Sequence, residues 1–300
     1  EIAPSDWSSD VCSSDLKGKK KNKVKEIWKR LRKNKSAMLG LFVLVFFSLV
    51  AIFAGFISPE SLVTQQKASI RLQPPSAEHW FGTDAYGRDV FTRVIYGARI
   101  SLTIGFVTAA ISLAAGGLLG ASAAFYGGRA DELIMRVMDI LTAIPGVLLA
   151  LSIVAVLGAS MLNLLIAISI SSIPGFTRLI RSVVLTVAES DYVEAARACG
   201  TRDLRIIMKH ILPNAIGPIV IQTTSSISGM ILQASGLSFI GMGVQPPTPE
   251  WGYMLSEARE FLRMKPYLLI FPGICIMLTS LSFDLLGDGL RDALDPRLKD

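Results

Sequence analysis

Charge is what this sequence has little of. Only 18% of its 300 residues are Asp, Glu, Lys or Arg, against roughly 25% in an average soluble domain. The charge present falls in a few clusters, and long stretches carry none: 26 residues from Ile100 to Phe125 and 30 from Ala215 to Val244. About 20 consecutive apolar residues suffice for a helix to cross the hydrocarbon core of a bilayer. A soluble fold would have to bury both stretches on every side in a small protein, so the soluble reading is set aside.

Reactive groups are equally sparse. Of the three cysteines, Cys12 lies in an acidic leader, Cys199 in a polar loop and Cys275 in an apolar run. They show neither disulfide nor metal-ligand spacing, and His79 and His210 stand alone in the sequence. No Walker phosphate loop, HExxH or GxSxG occurs. The chain is therefore expected not to hydrolyse ATP and not to be an enzyme by itself, with no catalytic residue, cofactor or metal. Gly116, Gly117 and Gly120 sit in an apolar helix and read as small-residue packing. Asp84 and Asp89, in GTDAYGRD, resemble part of a calcium loop but lack its glutamate and spacing; a structural turn is the favoured reading. QPPTPEWG (245–252) reads as a stiff turn, either a docking surface or a loop kept short.

What is present is an all-α integral membrane pattern of about six spans. Ala37–Ile57 ends at Ser58-Pro59, and Ile100–Phe125 follows a long loop. Ile140–Leu157 contains Pro145-Gly146, tolerated where neighbouring helices satisfy the freed backbone groups. Met161–Phe176 is short and serine-rich, and Ala215–Val244 and Tyr267–Phe283 complete the set. The acids nearest to the spans, Asp139 and Asp284, fall at span ends. Residues 17–99 form a basic segment, one span and a loop, followed by a five-helix core over 100–300.

Lysine and arginine set the orientation. Eleven basic residues and one acid lie between Lys17 and Lys35, which the positive-inside rule assigns to the cytoplasm. Threading six spans from there puts 22 of the 30 basic residues inside, with both termini cytoplasmic. The basic run reads as an anchor on the anionic lipid of the bilayer; without the aromatic pattern or motif of a nucleic-acid tail, no nucleic-acid partner is expected. Residues 1–16, with four acids and five serines, fit neither a signal peptide nor a helix, and are expected to be a non-native or disordered leader.

Between the fourth and fifth spans the periodicity becomes amphipathic. Asp191 and Glu194 have the form of a capping box. Tyr192, Ala195, Ala196 and Cys199 share one helical face, and Gly200 can supply a left-handed stop. Thr201 is suited to cap a second helix bearing Leu204, Ile207, Met208 and Ile211 on one side, which Pro213 ends. The residues alone leave a docking element and a pair of surface helices equally open.

The string EAARACGTRDLRIIMKHILPN, Glu194 to Asn214, resembles the EAA loop of ABC-importer permeases, at Glu194, Ala195, Ala196, Gly200, Leu212 and Pro213. FGTDAYGRDVFTRVIYGARISL (81–102), LSFIGMGVQPPTPEWG (237–252) and FDLLGDGLRDALDPRL (283–298) are similar to the second permease subunit of the dipeptide, oligopeptide and nickel importers, a family with a MetI-like fold. The general loop pattern has a branched apolar residue where this chain has His210; members of this subfamily often carry histidine. The resemblance, from about Lys25 onward, implies a bacterial inner-membrane subunit. It implies a second homologous permease, two ABC ATPase subunits and an extracytoplasmic solute-binding protein as partners, with residues 188–214 inserting into the ATPase. Glu194 would cap its helix, a role favoured over pairing with a basic residue of the ATPase. Peptides lead as cargo, with nickel and other small solutes open. The rival, an ion-coupled secondary transporter, normally needs intramembrane acids, which the spans scarcely contain.

A reporter active only in the cytoplasm should work when fused after Asp300 and be silent when inserted near Pro247. The opposite signal at either site would overturn the span count.

Overall fold

The computed structural model describes residues 25–188, 190, 193, 201, 203–206 and 211–294, and every regular element among them is helical. The principal helices are α1 (Lys35–Ile52), α2 (Val90–Tyr126), α3 (Gly128–Thr142), α4 (Gly146–Leu157), α5 (Met161–Ala188), α6 (Leu212–Phe239), α7 (Trp251–Ala258) and α8 (Tyr267–Leu294). Among them α1, α2, α5, α6 and α8 are long and apolar enough to cross a membrane. The α3–α4 pair meets at an 82° bend and supplies the sixth crossing if counted as one.

Helix ends and span ends differ, for a physical reason. Apolar composition marks only the part of a helix in contact with lipid, whereas backbone hydrogen bonding continues beyond it. At about 1.5 Å per residue, 37-residue α2 is roughly 55 Å long, well over the ~30 Å hydrocarbon core. It therefore starts ten residues before Ile100, and α5 and α8 run past Phe176 and Phe283 to Ala188 and Leu294. Asp284 is thus ten residues inside a helix and not at its end. The expected third span, Ile140–Leu157, is also corrected. Pro145 has no amide to donate and biases its predecessor away from the helical region, and the chain turns there from amphipathic α3 into 12-residue α4.

Caps and small residues fix how the helices start and meet. Asn34 caps α1 by accepting from the amides of Ser36 and Ala37, and Asp89 caps α2 by accepting from Thr92. Between α2 and α5 the approach is so close that a Cβ at Gly116 would lie 2.6 Å from the Phe176 Cβ. At Gly120 it would lie 2.5 Å from the Thr177 carbonyl oxygen. These glycines are the packing contacts that their place in an apolar helix implies. Gly105 admits Ile231 of α6, and Gly40 of α1 lies against Ser282 and Leu285 of α8. The core falls into two principal clusters and two small ones, around Ala54 and Tyr96 and around Leu31 and Ala293. The larger joins α1, α2 and α4–α8 around Ile104, Leu164, Ile168, Ile231 and Trp251, and a second gathers Ala121, Ala124, Ile180, Val184, Val193, Ile206 and Ile211 at one end.

Gly120→Val should lower the thermal stability of the detergent-solubilised protein by about 2–3 kcal/mol, the range for overpacking against a backbone that cannot give way. Gly236→Ala, whose Cβ would meet nothing within 4 Å, should be neutral or slightly stabilising in the same melt.

Candidate translocation groove and its two ends

Polar side chains within the bundle gather where α5 and α6 face each other. Ser171, Ser172 and Gly175 of α5, with Gln222, Ser226, Gly229 and Gln233 of α6, line an open groove floored by Phe176 and Met230. On α6 the spacing of 222, 226, 229 and 233 places these residues on one helical face. The Gln222 amide donates to Ser226 Oγ at 3.2 Å. Gln233 Nε2 lies 3.3 Å from the Gly146 carbonyl and 3.4 Å from Ser171 Oγ. It thus reaches the carbonyl of the first residue of α4, beside the break at Pro145, as an additional donor to a carbonyl at the head of that helix. Amides and hydroxyls without a charge offer hydrogen bonds to a passing polar solute without holding it tightly.

One end of the bundle is closed by an ionic cluster. Asp84 accepts from the Tyr86 and Arg88 amides, so GTDAYGRD is a hydrogen-bonded turn. The other carboxylate oxygen, Oδ2, takes Arg88 Nε at 2.6 Å and Arg93 Nη1 at 2.5 Å. Glu257 of α7 receives Arg88 Nη2 at 2.8 Å and Arg93 Nη1 at 2.7 Å. All four side chains are 13% exposed or less. The turn, the start of α2 and the end of α7 are thereby held together, and Tyr267 adds hydrogen bonds from its hydroxyl to the Gln73 and Thr83 carbonyls. His79 is not alone: its Nδ1 lies 3.0 Å from Asp89 Oδ1. Among the described residues no cluster of metal ligands forms.

The proline-rich turn feeds into the same end. Glu250, fully buried, caps α7 by accepting from the Gly252 and Tyr253 amides at 2.9 and 2.8 Å. Burial pushes its carboxyl above the usual glutamate range, against the pull of those two amides and of Ser238 and Ser101. Trp251 follows, with its indole donating to the Val94 carbonyl at 2.9 Å and its ring lodged over Gly97.

The opposite end carries the basic residues. Arg181 of α5 makes a bidentate pair with Asp131 of α3, and Arg178 bonds Asp139 and Thr142. Of the expected loop residues, Glu194, Ala195, Ala196 and Gly200 lie outside the described residues. Val193, Ile206 and Ile211 are buried against the ends of α2 and α5, so the described parts of this segment pack onto the bundle. Leu212 and Pro213 begin α6. Pro213 therefore opens the fifth span and does not close the preceding run, as proline does in a first turn where its missing amide costs nothing.

Arg93, Glu257, Glu250 and Gln233 were not anticipated from the sequence. The available signals were a glutamate directly before a helical stretch and two arginines five residues apart in a chain poor in charge. Their long-range partners lie 62 to 169 residues away, and only the fold brings them together.

A helical bundle of five or six membrane crossings, held by small-residue contacts and carrying a neutral polar groove, is the architecture of a membrane permease. Residues 116–300 match the model of the binding-protein-dependent transport system inner membrane component, and residues 23–75 match the N-terminal TM domain of oligopeptide transport permease C. The dipeptide transport system permease protein DppC of Alkalihalophilus pseudofirmus is 50% identical over 275 residues, covering 92% of this chain and 90% of the relative. The glutathione transport system permease protein GsiD of Escherichia coli O6:K15:H31 is 46% identical over 274 residues, covering 91% and 90%. In fold, the chain is similar to a crystal structure of the MetNI methionine ABC transporter in an inward-facing conformation. The TM-score is 0.55 at 14% identity, with 68% of this chain and 98% of that chain covered. The chain belongs to the family of inner-membrane permease components of binding-protein-dependent ABC importers, which work with ATPase subunits and a binding protein.

Glu257→Ala would leave two buried guanidinium groups sharing Asp84 alone. It should cost roughly 3 kcal/mol and open the segment 65–87 to protease added from that side of intact vesicles.

Proposed function

We propose that this chain forms half of the translocation pathway for peptide-class solutes in an ATP-driven importer. It would pair with a second permease of the same fold and with two ATPase subunits, and receive solute from an extracytoplasmic binding protein. The observation that carries the reading is the neutral polar groove between α5 and α6, open on one side, in a bundle that otherwise exposes many large apolar side chains. A half-lined groove of this kind is completed by a partner. The relatives named for dipeptide and glutathione transport support a peptide-class cargo. Both termini lie in the cytoplasm, as the weight of basic residues at that end supports, and the Asp84–Glu257 cluster then faces outward.

Coupling runs through Glu194, Ala195, Ala196, Gly200, Leu212 and Pro213, with the helix opened by Asp191 inserting into an ATPase subunit. The buried Ile206 and Ile211 support this by anchoring the segment to α2 and α5, so that a displacement is passed to the groove-bearing helices. Residues 17–99 act as the topological and capping unit, and 100–300 as the permease core.

Gly200→Val removes the residue that, by its place in the sequence, can supply a left-handed helix stop, a conformation a β-branched residue resists. The variant should reach the membrane at normal levels yet lose uptake and solute-stimulated ATP hydrolysis by about tenfold or more. Normal uptake by this variant would sink the coupling assignment.

A further inference from the structure

Three membrane-crossing helices end at one groove, away from the α5–α6 groove. Glu60 and Thr64 line it from the segment after α1, Tyr96 and Arg99 from α2, and Pro247 and Pro249 from the turn before α7. Its volume, about 440 Å³, falls in the range of small-molecule sites. Arg93 of the ionic cluster lies six residues from Arg99 along α2, about 9 Å, so groove and cluster share one end of the bundle.

The level of the groove follows from where apolar sequence stops. Arg99 is the last charged residue before the charge-free run Ile100–Phe125. Glu60 is the first charged residue after the apolar run Ala37–Ile57, and Pro247 stands three residues past the run Ala215–Val244. Three spans thus leave the hydrocarbon within a few residues of the groove, which places it in the headgroup layer just outside.

Its walls are fixed. The Tyr96 hydroxyl donates to the Ser58 carbonyl at 3.0 Å, and Ser58 Oγ lies 2.7 Å from Thr92 Oγ1. Val63, in the short helical turn Ser61–Thr64, is buried with Ala54, Ile95 and Tyr96. The segment carrying Glu60 is thereby pinned to α2. The opposite wall is proline-rich and runs directly into the buried cap Glu250.

Two opposite charges face this groove. Among the described residues neither Glu60 nor Arg99 makes an ion pair. Unpaired charge occurs elsewhere, at Glu132 for example. What sets these two apart is that they share one preformed groove at headgroup level. An aminophospholipid carries the complementary pair: a phosphate that a guanidinium binds, and a primary ammonium with three protons for a carboxylate. Apolar surface descends from both charges. Phe56 and Ile52 are 90% and 71% exposed on the Glu60 side. On α2, Arg99, Thr103, Phe106 and Ala110 are exposed and share one helical face.

We propose that this groove binds an aminophospholipid, with its phosphate on Arg99, its ammonium on Glu60 and its acyl chains along the exposed faces of α1 and α2. The proline-rich turn, which the sequence left open between a docking surface and a loop kept short, is then the rigid wall of a lipid site.

The test uses the intact importer in nanodiscs. A phosphatidylethanolamine analogue with a diazirine high on one acyl chain should, on irradiation, label peptides within 52–64 and 99–110, located by mass spectrometry. Unlabelled phosphatidylethanolamine should compete at about tenfold lower concentration than phosphatidylcholine, whose quaternary ammonium has no proton to donate. Glu60→Gln should abolish that preference without weakening competition by phosphatidylglycerol, which has no ammonium. Arg99→Gln should weaken competition by all three lipids, and Arg99→Lys should keep most of it. Labelling that misses both peptides, equal competition by the two lipids in the parent, or a preference that survives Glu60→Gln overturns the proposal. So does loss of the second permease, or of binding-protein capture, from the Arg99→Gln complex, since the groove would then belong to a protein partner.

Discussion

Within the hydrocarbon core there is no water to accept or donate a hydrogen bond, so each backbone group must find its partner inside the protein. The rest of this structure follows from that constraint. The five long crossings satisfy it by being continuous helices, α2 over 37 residues. The one interruption among the described crossings, at Ala143–Pro145, lies beside Gln233, which reaches the Gly146 carbonyl from α6. An amide side chain that bonds the backbone at the head of α4 also lines the polar groove.

The same constraint explains how the bundle is held. Lipid is as apolar as leucine, and burial of apolar side chains gives helices little reason to associate there. Close approach does, and it is obtained at Gly116 and Gly120 on α2, Gly105 opposite Ile231, and Gly40 and Gly289 between α1 and α8. Outside the hydrocarbon, charge takes over. Asp84, Arg88, Arg93 and Glu257 tie a loop, a span and a short lateral helix at one end, and Asp131–Arg181 and Asp139–Arg178 tie α3 to α5 at the other. Each end is locked by ion pairs and the middle is packed by small residues. The neutral groove is left as the place where a polar solute is tolerated.

Much of this was legible in the residues. The apolar stretches gave the number of crossings, because transfer into lipid depends on composition alone. The glycines in α2 announced close packing, and the string from Glu194 to Asn214, with the stretches at 81–102 and 237–252, was enough for the family. The less readable items were those set by geometry. Helix ends lay beyond apolar ends at Val90, Ala188 and Leu294, since hydrogen bonding does not stop at the membrane surface. Pro213 looked like a stop and proved to be a start, because a missing amide is harmful inside a helix and harmless in its first turn.

By itself, then, the sequence determined that the chain spans a membrane as helices, which end is basic and which family it belongs to, all properties carried by local composition and short motifs. The tertiary structure decided which polar groups meet. Gln233 against Gly146, Arg93 against Glu257, and Ser228 between Ser280 and Asp284 are pairings across 52 to 164 residues. No local periodicity encodes them, because they depend on the rotation and depth at which one helix packs on another.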